Sequence, residues 1–446
     1  MKSISNYVNH RETLSWLSNY FQEIYGVQIT IDLSTNKQTY EIKYKSNIFA
    51  RVSILDKEIT INDAEIIAYE SNEPNLPHVN RLYCFKSSNE KLASKEDDKV
   101  LNIHQDCIAF MICMLSRLEE QECDQLDVHE RYISNDSWSE RFNFTSIPVV
   151  DHWADYIMHA LSSKINEKIE PIKKYGVHIS HDVDVPFHLS GKNKVKRYFR
   201  SVLGSLYRRE FHRAEQLLKS VVNKYDVFDT FDFLMNISEK VNEKSTFNFI
   251  PDNTSDRWDA DYRLEDTKIR DLMKKIISRG HKIGLHCSYN CYQNDYQINL
   301  ERDLLQSSCQ KYGYKENVIS SRMHYLRWES WGTAKKLSNS GIALDTTLGF
   351  ADKIGFRSGT ARPYCPLDLI SKKTIKLKIL PLHIMDVTLW GYMKLKKPSD
   401  MMIKSKSIID RVKEVNGTLN ILWHNSDLVE KWKKELYQEI IHYAKK

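Results

Sequence analysis

The sequence predicts an α/β protein: a larger C-terminal part built on a parallel sheet, either barrel or open, and a smaller α/β module before it. Three observations carry this. From about residue 175 onward, short apolar strand runs alternate with helical runs, a pattern that builds parallel sheets. The first 145 residues hold helix and strand runs of their own at an ordinary domain size. The chain has 446 residues, 41% of them hydrophobic, enough for two or three domains with substantial cores.

The N-terminal module (1–145) opens on a helix over 11–25, with Leu14, Leu17, Tyr20, Phe21 and Ile24 at helical spacing. Strands are expected over 27–33, 40–44 and 48–55. A second helix is expected over 106–120, with Ile108, Met111, Leu115 and Leu118 on one side. Asp127, His129, Glu130, Arg131 and Tyr132 then cluster in a polar loop, which reads as a loop tied down by ion pairs or as part of a site. A linker helix follows over 146–174, and Pro171 ends it.

In the larger part (175–446), strands are expected over 177–180, 245–250, 282–285, 379–382 and 418–423, with helices over 266–278 and 300–311. A basic helical insertion interrupts them at about 188–225. Within it, residues 192–224 carry Lys192, Lys194, Lys196, Arg197, Arg200, Arg208, Arg209 and Arg213 against Glu210 and Glu215, with Val195, Phe199, Val202 and Leu206 on one stripe. Two readings fit. The helix packs on the domain with its basic face in water, or it makes weak contact with an anionic membrane surface.

A net charge of +6 on this length is too dilute to indicate a nucleic-acid partner. The N-terminus lacks an apolar signal region, and the longest apolar run, 108–115, is far short of a bilayer span. A cytoplasmic location is therefore expected. The eight cysteines form no CxxC pair and read as reduced thiols.

Chemistry concentrates at strand ends, where α/β folds place function. Ser180-His181-Asp182-Val183-Asp184 ends the first strand with Asp182 and Asp184 on one face. A divalent metal on one carboxylate would leave the other as a base. Leu285-His286 ends another strand, with Asn290 four residues on, a helical turn away. Arg322, in Ser321-Arg322-Met323-His324, can orient an Asp and hold it ionised. Asp345 could in turn hold Arg322. Leu422-Trp423-His424 ends a strand in a histidine suited to a general acid.

These ordered elements resemble the polysaccharide deacetylase superfamily, carbohydrate esterase family 4, from about Tyr175 to the C-terminus. The segment with Ser116-Arg117-Leu118-Glu119-Glu120 and the 127–132 loop resembles an uncharacterised domain preceding one bacterial branch of that superfamily. The resemblance implies a distorted (β/α) barrel. It also implies a metal-dependent hydrolase that removes an N-acetyl or related acyl group from an amino sugar or polysaccharide precursor, in surface-polysaccharide assembly. Carried over, Asp182 is the base, Arg322 orients it with Asp345 behind, and His424 protonates the leaving amine. Asp184, His286 and Asn290 hold the metal, zinc foremost, with cobalt or nickel as alternatives. The chain departs from the family at two places. Asn290 stands where a second histidine ligand is usual, with His383 and His181 as other candidates for that ligand. Arg322-Met323-His324 stands where Arg-x-Pro is usual. Two other functions remain: a non-catalytic binder of glycan or nucleotide-sugar, and a hydrolase of a non-sugar C–N bond.

Overall fold

The computed structural model describes every residue except 1–2, 56–57, 72, 96–99, 124, 190–193, 210, 223–224 and 331. The larger part is built on eight strands: β1 (Gly176–Val183), β2 (Thr246–Phe249), β3 (Lys282–Cys287), β4 (Ser320–Met323), β5 (Leu344–Asp345), β6 (Lys378–Ile379), β7 (Ile384–Met385) and β8 (Thr418–Leu422). Their order is β6-β5-β4-β3-β2-β1-β8-β7. Every pairing is parallel. The sheet curls but does not close, because β6 and β7 are not paired with each other. The expected single strand over 379–382 is broken at this seam. There the chain turns from one side to the other, with Leu380 N bonded to Asp345 O (2.9 Å) and His383 N to Asn420 O (3.1 Å).

The expected strands recur with extended ends. β1 is buried from Ile179 through Val183, as both-sided cover by helices requires. β4 and β5 are too short to stand out in the sequence as apolar runs.

The helices in chain order are α1 (Arg11–Tyr25), α2 (Cys107–Ser116), α3 (Val149–Ile165), α4 (Lys194–Tyr207), α5 (Phe211–Val222), α6 (Phe231–Lys240), α7 (Thr267–Ser278), α8 (Asp295–Lys311), α9 (Thr333–Asn339), α10 (Pro398–Glu414) and α11 (Lys431–Lys445), with two four-residue turns besides. In α7, Ile269, Leu272, Met273 and Ile276 make the buried stripe. The basic stretch read as one helix over 192–224 is two helices, α4 and α5, broken where Arg209 takes a left-handed φ of 59°. Lys192 and Lys224 lie outside the described residues, as do the side chains of Lys194 and Arg197.

Before β1, the strands Ile29–Leu33, Thr39–Tyr44, Asn47–Ser53, Leu101–Ile103 and Ala93–Lys95 form a sheet in that order. A separate hairpin, Ile66–Glu70 with Arg81–Phe85, was not evident in the sequence. Most of the buried apolar side chains, from Ile4 to Ala444, form one connected core, with two smaller clusters apart from it. The helix expected as a linker, α3, is buried over most of its length. Its Asp151 accepts Thr360 Oγ1 (2.6 Å) and Ala361 N (2.7 Å). Its Asp155 pairs with Arg362 (2.7 Å). No helix among the described residues is long and apolar enough to cross a membrane.

Candidate active site

Parallel pairing sets the site. In register, Asp182 of β1 lies opposite Asn248 of β2, and His286 of β3 opposite Arg322 of β4. Side chains at neighbouring strand ends therefore converge on one pocket of about 240 Å³. Asp182 Oδ1 accepts Asn248 Nδ2 (2.8 Å) and Arg322 Nη1 (3.3 Å). Arg322 is itself fixed by Ser180 Oγ (2.9 Å) and Thr346 O (3.2 Å). Gly284 is required beneath this pair: a Cβ there would lie 2.1 Å from Asn248 Oδ1 and push it off Asp182.

Asp184 continues from β1 and faces three histidines. His286 Nε2 is 3.2 Å from Asp184 Oδ1 and 3.5 Å from Asp182 Oδ2. His324 Nε2 is 3.8 Å from Asp184 Oδ1. His424 Nε2 is 3.6 Å from Asp184 Oδ2. Each ring is held through its other nitrogen. His286 Nδ1 donates to Arg322 O (2.9 Å), His324 Nδ1 to Asp259 Oδ1 (2.9 Å) and His424 Nδ1 to Asp386 Oδ1 (2.8 Å). A carbonyl or carboxylate can only accept, so Nδ1 carries a proton in each ring and Nε2 is the nitrogen that faces Asp184.

Charges follow from this packing. Burial would raise Asp182, but His286 and Arg322 more than offset it and hold the carboxyl below its ordinary value. Asp184 lies well below for the same reason, with His324 and His286 outweighing burial. Burial would lower His324, but Asp184 and Asp259 push it up to about 9. His424 is likewise raised well above its ordinary value, burial being outweighed by Asp386.

A divalent metal fits this donor set. Asp184 Oδ1 is buried without a hydrogen-bond partner. One donor atom each from Asp184, His286 and His324 lies within 4.8 Å of the others. Two imidazoles and a carboxylate suit zinc, cobalt or nickel. Asp386, His424 and Asp427 also lie within such reach of one another, but Asp386 is already engaged by His424 N (2.6 Å) and Nδ1.

The structure does not bring the expected third ligand, Asn290, to Asp184. Asn290 is exposed, and its amide is consumed elsewhere: Nδ2 donates to Thr254 O (2.8 Å) and Oδ1 accepts Arg327 (3.2 Å). Residues 289–290 form a turn rather than the helical turn that would bring Asn290 beside His286. His324, two residues past Arg322, occupies that side of Asp184. Of the other candidates, His181 points away onto Trp423 O (2.8 Å) and Phe247. His383 accepts Asn420 N (3.1 Å). Asp345 does not contact Arg322 directly. It accepts Thr347 N (2.9 Å), Thr347 Oγ1 (2.7 Å) and Ser321 Oγ (3.2 Å), so it shapes the turn whose Thr346 carbonyl holds Arg322. All eight cysteines are free, and Cys287 and Cys291 are buried outside the cluster.

Sequence reasoning missed Asn248, Asp259, His324 and Asp386 as site residues. Asp386, one residue past β7, carries the same signal as the residues found: an acid just beyond an apolar strand. The 127–132 loop is tied down by an ion pair and reaches the pocket through the same residue. Arg131 binds Asp127 through Nε (2.8 Å) and Nη2 (2.6 Å) and also lines the pocket, donating to Tyr325 O (3.0 Å) and Tyr392 OH (3.0 Å). His129 stacks on Tyr325 at 4.3 Å between ring centroids. Tyr325 and Leu326 both hold left-handed φ (59° and 57°), a strain of order 1–3 kcal/mol each that neighbouring contacts must hold in place.

In comparisons with known proteins, residues 4–166 match DUF7033, a family of unknown function. The search of curated proteins finds no match. Among solved structures, one similar chain is a proposed polysaccharide deacetylase from Mycobacterium smegmatis, at 13% identity and TM-score 0.40, covering 60% of this chain and 83% of that one. The polysaccharide deacetylase Bc1974 from Bacillus cereus is similar at 13% identity and TM-score 0.29, covering 60% and 86%. A family 4 carbohydrate esterase from Streptomyces lividans, in complex with acetate, is similar at 8% identity and TM-score 0.29, covering 61% and 88%.

Proposed function

We propose that this chain is a metal-dependent hydrolase that removes an N-acetyl or related acyl group from an amino sugar, within the assembly of bacterial surface polysaccharide. One observation carries the reading: a buffered carboxylate, a fit set of metal ligands and a carboxylate-backed histidine meet in one pocket. A metal held by Asp184, His286 and His324 would polarise the acyl carbonyl and stabilise its developing negative charge. Asp182, kept ionised by Arg322 and oriented by Asn248, takes the proton of the attacking water. His424, kept protonated by Asp386, gives a proton to the leaving amine. Leu326, Met385 and Leu422 form an apolar cluster in the pocket wall, suited to a small acyl group.

In this reading residues 175–446 are the catalytic unit, and the 127–132 loop of the preceding module supplies one wall. Asn290 and the altered motif Arg322-Met323-His324 are the features that favour a non-catalytic binder. His324, which that motif places 3.8 Å from Asp184, supports the hydrolase reading over the binder. The test follows acetate release from N-acetylhexosamine substrates together with bound zinc, cobalt or nickel. Asp182→Asn should abolish release and keep the metal. A wild-type protein that binds none of these metals and releases no acetate overturns the reading.

A further inference from the structure

The two basic helices present apolar side chains to solvent. On α4, Val195, Phe199, Leu203 and Leu206 recur at spacings of four, four and three, and are exposed, Phe199 at 59% and Leu203 at 63%. At 100° per residue they share one face. Phe211 (65% exposed), Leu218 and Val221 add apolar surface on α5, and Tyr207 stands at the tip. The packing takes only one edge of this apolar sector, next to Val195, and leaves the other side chains in solvent. Val202, Ala214 and Leu217 are buried, and Val202 and Leu217 cluster with Val227 and Phe228. Exposed Lys196 and Arg200 each follow an apolar stripe residue and border it on one side.

The charge is as distinctive. Between residues 194 and 222 there are eight Lys or Arg against two Glu, so this hairpin alone carries as much net positive charge as the whole chain's +6. The rest of the protein is balanced. An apolar stripe rimmed by this much positive charge is complementary to an anionic bilayer interface and poorly matched to a second copy of the same hairpin, which would repel it.

The hairpin stands at the pocket mouth. Asp226 ties down its base by accepting His188 N (2.7 Å) and Leu189 N (2.9 Å). Arg213 lies 3.9 Å from Asp427, which lines the pocket, as does Val185 at the hairpin's root.

We propose that α4 and α5 dock the protein on an anionic lipid surface and so hold the pocket mouth toward substrate carried on a lipid. The docking rests on the hairpin; its purpose, delivery of a lipid-borne amino sugar, rests on the hydrolase reading above. The experiment is co-sedimentation of the full chain with vesicles of phosphatidylcholine alone, or mixed with phosphatidylglycerol, at low and high salt. Wild type should bind the mixed vesicles at low salt, and high salt should release it. Removing two rim charges, Lys196→Ala with Arg200→Ala, should weaken binding roughly 30-fold. Phe199→Ser with Leu203→Ser should abolish it. All four side chains are exposed, so circular dichroism and hydrolysis of a soluble substrate should stay unchanged. No binding at low salt, or equal binding to neutral vesicles, overturns the proposal. So does a wild-type dimer by light scattering that Phe199→Ser with Leu203→Ser dissociates, with no vesicle binding. Vesicle binding without acetate release leaves the docking standing and removes the hydrolase; acetate release without vesicle binding does the reverse.

Discussion

Replacing His324 by Ala should strip the metal site, while replacing Asn290 by Ala should leave it intact. His324 offers Nε2 to the side of Asp184 that Asn290 was expected to fill, and Asn290 is spent on Thr254 and Arg327. Four-ligand zinc sites bind with roughly 10–16 kcal/mol, or about 2.5–4 kcal/mol per ligand. Losing one of three protein ligands should therefore weaken affinity about 100- to 1000-fold. Asp259→Asn acts one step back. It disturbs the 2.9 Å bond that fixes the His324 ring and should weaken affinity about 10- to 100-fold. Asn290→Ala, an exposed change, should stay within about 3-fold of wild type. The assay is competition for zinc with a chromophoric chelator, with folding checked by circular dichroism. If Asn290→Ala weakens zinc binding as much as His324→Ala does, or if His324→Ala leaves it unchanged in a folded protein, the assignment of His324 is wrong.

Three further outcomes follow from the same geometry. Asp386 raises His424, and a general acid is lost as pH rises through its pKa, so Asp386→Asn should move the alkaline limb of kcat/KM to lower pH; an unmoved limb would take His424 out of that role. Arg131→Met removes bonds to Tyr325 and Tyr392 and should lower kcat/KM roughly 10- to 100-fold with zinc affinity unchanged; loss of the fold on thermal melting would make the loop structural alone. Glu119 is buried, which pushes it up to about 8, so the folded state holds its proton from the unfolded value, near 4.5, upward. Its stabilising contribution is whole below that value and is lost as pH rises toward 8, at up to about 1.4 kcal/mol per pH unit. Denaturant unfolding of Glu119→Gln should lack that slope, and an unchanged slope would refute the buried acid as its source.

Much was readable in the sequence because it is local. β1 and β8 announce themselves as apolar runs ending in acids or histidine, and strand alternation alone puts Asp182 and Asp184 on one face while turning His181 away. The amphipathic helices α1, α7 and α8 follow from 3.6-residue periodicity. β4 and β5, at four and two residues, are too short for any period to register. The basic stretch kept helical periodicity across a turn that a single left-handed residue, Arg209, makes, so two helices read as one.

The sequence by itself determined the alternating α/β architecture and the strand ends at which Asp182, Arg322 and His424, the residues of the proposed site, stand. Only the tertiary structure decided which histidine lies beside Asp184 and His286. That choice depends on where the chain goes after β4: two successive left-handed residues, Tyr325 and Leu326, held by Arg131 and His129 from a loop almost 200 positions earlier. Spacing along a chain reports neighbours within a strand or a helical turn. It carries no information about a side-chain cluster assembled from parallel strands whose register is fixed by hydrogen bonds between distant segments.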